Sequence, residues 1–219
     1  MDESRIYNKW PIAREGFPFL LIGCALIFLF SYLGILSLSV LMVITTFFTA
    51  FFFRDPDRKS YVNGKAVVAP ADGKILEVQH LEDSKNPLGQ PAIKVSVFMT
   101  VFNVHVNRIP VASVINEITY NPGKFFSANL DKASKYNENN RITLETHDAH
   151  KVVFIQIAGL VARRIACWVK AGDRVAAGQR FGLIRFGSRM EVYLPEDTQI
   201  TACMNQKVRA GQTVIGYLS

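Results

Sequence analysis

Phe181-Gly182-Leu183-Ile184-Arg185-Phe186-Gly187-Ser188-Arg189-Met190-Glu191-Val192-Tyr193-Leu194-Pro195 reads as two strand-like runs interrupted by one Gly-Ser step. By composition alone such a step is a turn. There is a second reading, in which Ser188 attacks the carbonyl of Gly187 and the chain cuts itself. The two readings are separated by what surrounds the step.

Working outward, the same pattern of short runs and turns fills the chain from Lys65 on. Lys65–Pro70 meets a turn at Ala71-Asp72-Gly73-Lys74, and Ile75–Val78 resumes. Further runs are Ala92–Phe98, Ser113–Tyr120, Arg141–Glu145, Lys151–Ala158, Ile200–Met204 and Thr213–Tyr217. Spacing this regular predicts a mostly β domain. Arg174-Val175-Ala176-Ala177-Gly178-Gln179 is echoed by Lys207-Val208-Arg209-Ala210-Gly211-Gln212, with glycine at each tight corner. This style resembles the sandwiched barrels of biotinyl and lipoyl domains. The carrier lysine of those domains, at a Met-Lys-Met or Asp-Lys-Ala hairpin tip, has no counterpart here.

The N-terminal part is of another kind. Gly16 to Phe53, about 38 residues, carries no charge. The core of this run, FPFLLIGCALIFLFSYLGILSLSVLMVITTFFTAFFF, is far longer than the apolar region of a signal peptide. As one helix it would reach about 55 Å, against a hydrocarbon layer of about 30 Å. Two short helices broken near Ser31–Gly34 fit better, giving an anchor over 17–53 between an N-terminal segment (1–16) and the domain 54–219. One steeply tilted span, or one span with an interfacial helix, stays open. Arg5, Lys9 and Arg14 precede the run, and Arg54, Arg58 and Lys59 follow it. A hairpin puts both flanks on one side, which the positive-inside rule makes cytoplasmic. The net charge of +7 suits an anionic membrane surface. No dense basic or aromatic-basic motif speaks for nucleic acid. Three scattered cysteines, Cys24, Cys167 and Cys203, form neither a disulfide framework nor a metal motif.

Three polar residues stand out. Asp72 sits in a turn between apolar strands. His105 lies in Phe102-Asn103-Val104-His105-Val106-Asn107-Arg108-Ile109-Pro110, where alternation puts Asn103, His105 and Asn107 on one face. Ser188 is the third. Asp, His and Ser are the parts of a serine-activating triad, although any chain of this size offers such a set. His147 and His150 fall in an expected hairpin loop with no third ligand, so they read as surface residues and no metal is expected.

In their contexts these residues carry a resemblance. Phe52-Phe53-Arg54-Asp55-Pro56-Asp57-Arg58, Ala69-Pro70-Ala71-Asp72-Gly73, Asn103–Arg108, Asp131-Lys132-Ala133-Ser134, Asn137–Asn140, Gln156–Ile165 and Gly182–Ser188 occur in order. Together they resemble the phosphatidylserine decarboxylase proenzymes, in particular the short membrane-anchored form of bacteria and archaea. Two departures are visible. Arg108 stands where longer members have a second histidine before a proline, and Asn139 stands where the family has an arginine.

The resemblance implies serinolysis at Gly187-Ser188, giving a β chain (1–187) and an α chain (188–219) that starts with a pyruvoyl group made from Ser188. His105 would then be the base, with Asp72 orienting it and stabilising its charged form. Arg163, Arg164 and Arg185 are implied candidates for the lipid phosphate. The implied reaction turns phosphatidylserine into phosphatidylethanolamine at the cell membrane. An ether-linked archaeal serine lipid would be handled by the same chemistry, and a non-enzymatic membrane-tethered adaptor is the reading of another class. The β chain stays with its own α chain, and a homodimer is compatible with the resemblance.

Overall fold

The computed structural model describes residues 1–60, 64–82, 86–128, 136–159, 164–185 and 187–219. A single turn, α1 (Glu3–Ile6), and a 3-10 turn at Arg14–Gly16 lead into α2 (Phe17–Tyr32) and α3 (Leu36–Phe52). The break falls at 33–35, where Gly34 takes a φ of +70° that glycine accepts without strain. The two helices pack on each other: Ser31 Oγ and Ser39 Oγ are 2.7 Å apart, and Gly23 leaves room for Thr46. Arg14–Tyr32 is long and apolar enough to cross a membrane, while Leu36–Phe52 is shorter, at 17 residues. Most of their large apolar side chains are exposed, Phe28 and Phe47 at 74% each.

Fourteen strands follow among the described residues. They are β1 (Ala66–Val68), β2 (Gly73–Leu81), β3 (Ala92–Met99), β4 (Val106–Arg108), β5 (Ser113–Asn121), β6 (Asn139–Glu145) and β7 (Lys151–Ala158), then β8 (Ile165–Cys167), β9 (Arg174–Val175), β10 (Arg180–Ile184), β11 (Ser188–Pro195), β12 (Gln199–Ile200), β13 (Lys207–Val208) and β14 (Val214–Tyr217). The domain is therefore mostly β. A curled eight-stranded antiparallel sheet, in the order β13-β2-β3-β11-β7-β6-β5-β9, forms a half-barrel, and two three-stranded sheets, β4-β10-β8 and β1-β14-β12, accompany it. Val95, Val97, Ile142, Phe154, Leu183, Met190 and Val192 are wholly buried between these layers. The run expected over Ile200–Met204 is strand only at Gln199–Ile200, because the Thr201 and Ala202 N–H groups both turn to the Ile215 carbonyl and the ladder breaks there.

The echo at 174–179 and 207–212 is structural. Each motif forms a two-residue edge strand, β9 or β13, at opposite ends of the large sheet. Each pairs with a long strand that bulges at the same place, after Ile75 in β2 and after Ile115 in β5. The backbone bonds match across the pair. The Val68 N–H donates to the Pro110 carbonyl and the Arg108 N–H to the Pro70 carbonyl, both at 2.8 Å. Gly211 N–H reaches Ala69 O, and Gly178 N–H reaches Ile109 O, again at 2.8 Å. Residues 66–78 and 106–118 thus play equivalent parts in two halves, and β11 runs down the seam between them.

The end of α3 is driven into the domain rather than laid on it. Phe52 and Phe53 are buried, Phe19 stacks on Phe53 at 5.6 Å, and the Ala13 N–H donates to the Phe53 carbonyl at 2.7 Å. Asp55, just beyond, accepts from Asn8 Nδ2 at 3.0 Å and Arg180 Nε at 2.8 Å. These contacts fix the helices relative to the seam.

Candidate active site at the Gly187-Ser188 seam

Ser188 is the first residue of β11. It pairs with Met99 of β3 on one side and Ala158 of β7 on the other, so its side chain has nowhere to go but the interior. Its Oγ has the Met99 sulfur 3.7 Å away. A thioether is a weak acceptor, so this contact barely restrains the hydroxyl.

Gly187 precedes it with a φ of +64°. A β-carbon there would meet nothing within 4 Å, so conformation, rather than crowding, asks for glycine at this position. Crowding appears one strand away. A β-carbon built on Gly159 would lie 1.9 Å from the Gly187 carbonyl oxygen and 3.0 Å from its carbonyl carbon. The carbonyl next to Ser188 is therefore seated directly on the backbone at the end of β7. That end is itself held. Asn137, buried, donates through Nδ2 to the Ala158 and Phe126 carbonyls at 2.7 Å each and accepts the Phe126 N–H at 2.9 Å.

His105 lies just before β4 and is fully buried, where the alternating pattern had placed it on a polar strand face. β4 is only three residues long and both of its faces are covered, so alternation carries no inside-outside information there. Its ring stacks on Phe52 with centroids 4.2 Å apart. Its Nε2 is 3.1 Å from the Thr100 carbonyl, which can only accept, so Nε2 carries the proton. Nδ1 is then an unshared lone pair, buried and without a hydrogen-bond partner among the described residues. Burial pushes the imidazole down to about 4, against the backbone contacts at Thr100 and Ile184. His105 and Ser188 are linked through one dipeptide, since Met99 pairs with Ser188 and the next residue, Thr100, holds His105.

Asp72 is elsewhere engaged. Both of its oxygens face Arg58, with Nη2 at 2.9 Å from Oδ2, and Oδ1 also accepts the Ala210 N–H at 2.8 Å. No hydrogen bond joins Asp72 to His105 among the described residues. Its reach to the ring is electrostatic: its charge favours the protonated imidazole, while Arg54 opposes it.

Other parts carried no role in the sequence. A chain of buried amides runs from Asn140 Nδ2 to Gln156 Oε1 at 3.0 Å, and from Gln156 Nε2 to Asn107 Oδ1 at 2.9 Å. It ends with Asn107 Nδ2 at 3.6 Å from the Met99 sulfur. The one available signal was Gln156, a polar residue in the apolar run Lys151–Ala158. Arg108, the departure from the family pattern, is a buried tie that donates to the Gly178 carbonyl and to the Pro56 carbonyl, each at 2.9 Å. Of the three arginines, Arg163 lies outside the described residues. Arg164 is exposed, and the Arg185 guanidinium sits 5.3 Å over the Phe19 ring of α2. His147 and His150 are in the β6–β7 hairpin loop, with the His147 side chain fully exposed.

A family model for phosphatidylserine decarboxylase matches residues 44–216. The chain belongs to the phosphatidylserine decarboxylase family. Curated relatives cover nearly all of it, and each carries the name phosphatidylserine decarboxylase proenzyme. The one from Syntrophus aciditrophicus is 48% identical over 94% of this chain and 96% of its own. The one from Desulfotalea psychrophila is 44% identical over 95% and 97%, and that from Burkholderia mallei 44% over 94% and 95%. The family is one of carboxy-lyases.

Proposed function

We propose that the chain is a membrane-anchored proenzyme that cuts itself between Gly187 and Ser188 and then decarboxylates phosphatidylserine. The observation that carries this reading is the Gly187 carbonyl seated on Gly159, next to a weakly held serine hydroxyl in a dry interior. His105 contributes a neutral imidazole whose Nδ1 lone pair is unused. In the first step this nitrogen takes the Ser188 Oγ proton as Oγ attacks the Gly187 carbon. The peptide nitrogen then leaves with a proton, and an ester joins Gly187 to Oγ. Removal of the Ser188 α-proton expels the Gly187 carboxylate. Hydrolysis of the remaining unsaturated amine releases ammonia and leaves a pyruvoyl end on residues 188–219, with residues 1–187 as the partner chain. Asp72 favours the imidazolium formed on the way, across space rather than through a hydrogen bond.

The surroundings suit a pyruvoyl group made from Ser188: β11 stays paired on both sides from Arg189 on, and the site faces the Met99 thioether rather than an amine or thiol that would add to the ketone. Such a group supplies the electron sink for loss of carbon dioxide from an α-amino acid. His105 Nδ1 would return a proton to the substrate α-carbon, and burial of the ring keeps bulk water from that nitrogen.

The anchor belongs to the same reading. We place α2 and α3 in the cell membrane, with the β domain on the cytoplasmic side, so that a substrate held in the bilayer meets the seam at its surface. Arg5 and Arg58 are internally paired, to Asp2 and Glu15 and to Asp72. The flanking charges left to meet an anionic leaflet are thereby Lys9, Arg14 and Lys59, since Arg54 is held by the Phe51 and Phe102 carbonyls. Arg185, over the Phe19 ring, adds positive charge at that flank.

Ser188→Ala tests the proposal. The variant should remain one uncut chain and release no carbon dioxide from phosphatidylserine. Normal turnover by that variant would contradict it.

A further inference from the structure

The β2 end of the large sheet holds a cavity of about 530 Å³, lined by Asp72, Lys74, Thr100, Asn103, Lys207 and Arg209 among others. Its charge is one-sided. Asp72 is taken by Arg58, whereas Lys74, Lys207 and Arg209 make no ion pair among the described residues. Lys74 and Lys207 are direct cross-strand partners, so the two ammonium groups rise from the same face. Like charges directly opposite each other in an antiparallel pair are destabilising.

The other half of the sheet shows that the fold does not ask for this. There the equivalent cross-strand pair is Val114 with Arg174, Ala112 stands in the place of Asp72, and Ala176 in the place of Arg209. The backbone bonds are the same, and there a single cation, Arg174, faces an apolar partner instead of a second charge. An uncompensated cluster on a scaffold that works without it points to an anion that is bound there.

Its location says which anion. Thr100, in the wall, holds His105 through its carbonyl and follows Met99, the partner of Ser188. Asn103, also in the wall, follows Phe102, whose carbonyl accepts Arg54 Nη2 at 2.7 Å at the end of α3. Phe102 itself is 66% exposed. The cavity therefore lies between the end of the anchor and the reactive strand. We propose that it binds the phosphodiester of the substrate lipid, Lys74 and Lys207 holding its two free oxygens and Arg209 its rim. Resting on the decarboxylase reading, this sets the amino-acid end of the head group toward Ser188 and the acyl chains toward α3. Of the arginines that the family resemblance offers for the lipid phosphate, Arg185 is engaged with Phe19, on α2, away from this cavity.

The test uses the full-length, self-cleaved protein in neutral detergent micelles with phosphatidylserine as substrate. The Lys74→Gln/Lys207→Gln variant should raise KM about tenfold, with kcat within about twofold. Arg174→Gln, which removes the cation at the equivalent place in the other half, should leave both unchanged. Binding of sn-glycero-3-phosphoserine, measured by calorimetry, should weaken by about the same factor in the double variant, and inorganic phosphate should compete poorly. Should the double variant fail to fold, Arg209→Gln provides the same comparison from a loop position, with a smaller rise in KM. Equal KM and equal binding in wild type and variant would overturn the proposal. A defect seen only on anionic vesicles would also overturn it, assigning the cluster to the bulk leaflet, as would competition by inorganic phosphate as strong as that by the diester. The binding arm keeps the two claims apart. A wild type that binds the diester through these lysines yet releases no carbon dioxide defeats the decarboxylase reading and leaves the cavity standing.

Discussion

The two halves flanking β11 share a backbone plan and differ in almost every side chain that could do chemistry. In the first half Asp72, Lys74, Lys207 and Arg209 surround an open cavity; in the second, Ala112, Val114, Arg174 and Ala176 occupy the same places. The second half instead supplies His105, whose counterpart in the first is Lys65. Gly159, at the end of β7 on that side, receives the Gly187 carbonyl. Repetition builds the sheet, and departure from repetition marks the site. Ser188 lies on the seam, where one residue can be addressed from both sides.

The largest effect should come from the β7 side. Gly159→Ala puts a methyl group where the Gly187 oxygen now sits, and a displacement of about 1 Å at a reacting atom is enough to cost on the order of 100-fold in rate. The expected outcome is a folded chain that cuts itself at least about 100-fold more slowly, followed by denaturing gel over time. Cleavage at the wild-type rate would remove the seated carbonyl from the account.

Asp72→Ala probes the other half. It leaves Arg58, only 9% exposed at its side chain, without its carboxylate. Loss of one partner of such a pair costs about 3 kcal/mol, readable in a denaturant melt. Cleavage should slow as well. Adding Arg58→Met should restore stability, while cleavage stays slow, because Asp72 also favours the charged form of His105. Recovery of both together would reduce Asp72 to a structural tie.

A smaller, pH-dependent effect belongs to His105. Its folded value is about 4, below the usual 6.5 of an unfolded histidine, so the unfolded chain binds more protons in between. Stability is therefore full above about pH 6.5 and falls as the pH drops toward 4, by up to about 3 kcal/mol. His105→Gln should flatten that part of the stability profile. Self-cleavage by the wild type should stay level down to about pH 5, since the base is already neutral there. A rate that halves near pH 6.5 would mean that the imidazole is not buried as described.

Much of this was legible in the sequence and some of it could not be. Most strands, the hairpin loop at His147–His150 and the helix break near Gly34 follow from local pattern, whereas the Gly187-Ser188 step reads locally as a turn and stands out only through the family resemblance. His105 misled because alternation says which face a residue takes, and in a three-residue strand covered on both sides neither face is wet. The Asp72–Arg58 pair joins residues 14 apart through folded loops, which no periodicity announces. Gly159 against Gly187 is backbone on backbone, and a glycine in a motif does not say what approaches it. The duplication surfaced only as one short echo. Its larger part, 66–78 against 106–118, is kept in hydrogen bonds while the side chains have diverged.

The central claim is a covalent event, and intact mass of the purified full-length protein tests it most directly. The account predicts two chains, residues 1–187 and a 32-residue C-terminal piece with no free amine and the mass of a pyruvoyl end. A single chain of 24.6 kDa, unchanged on prolonged incubation with membranes, would contradict it.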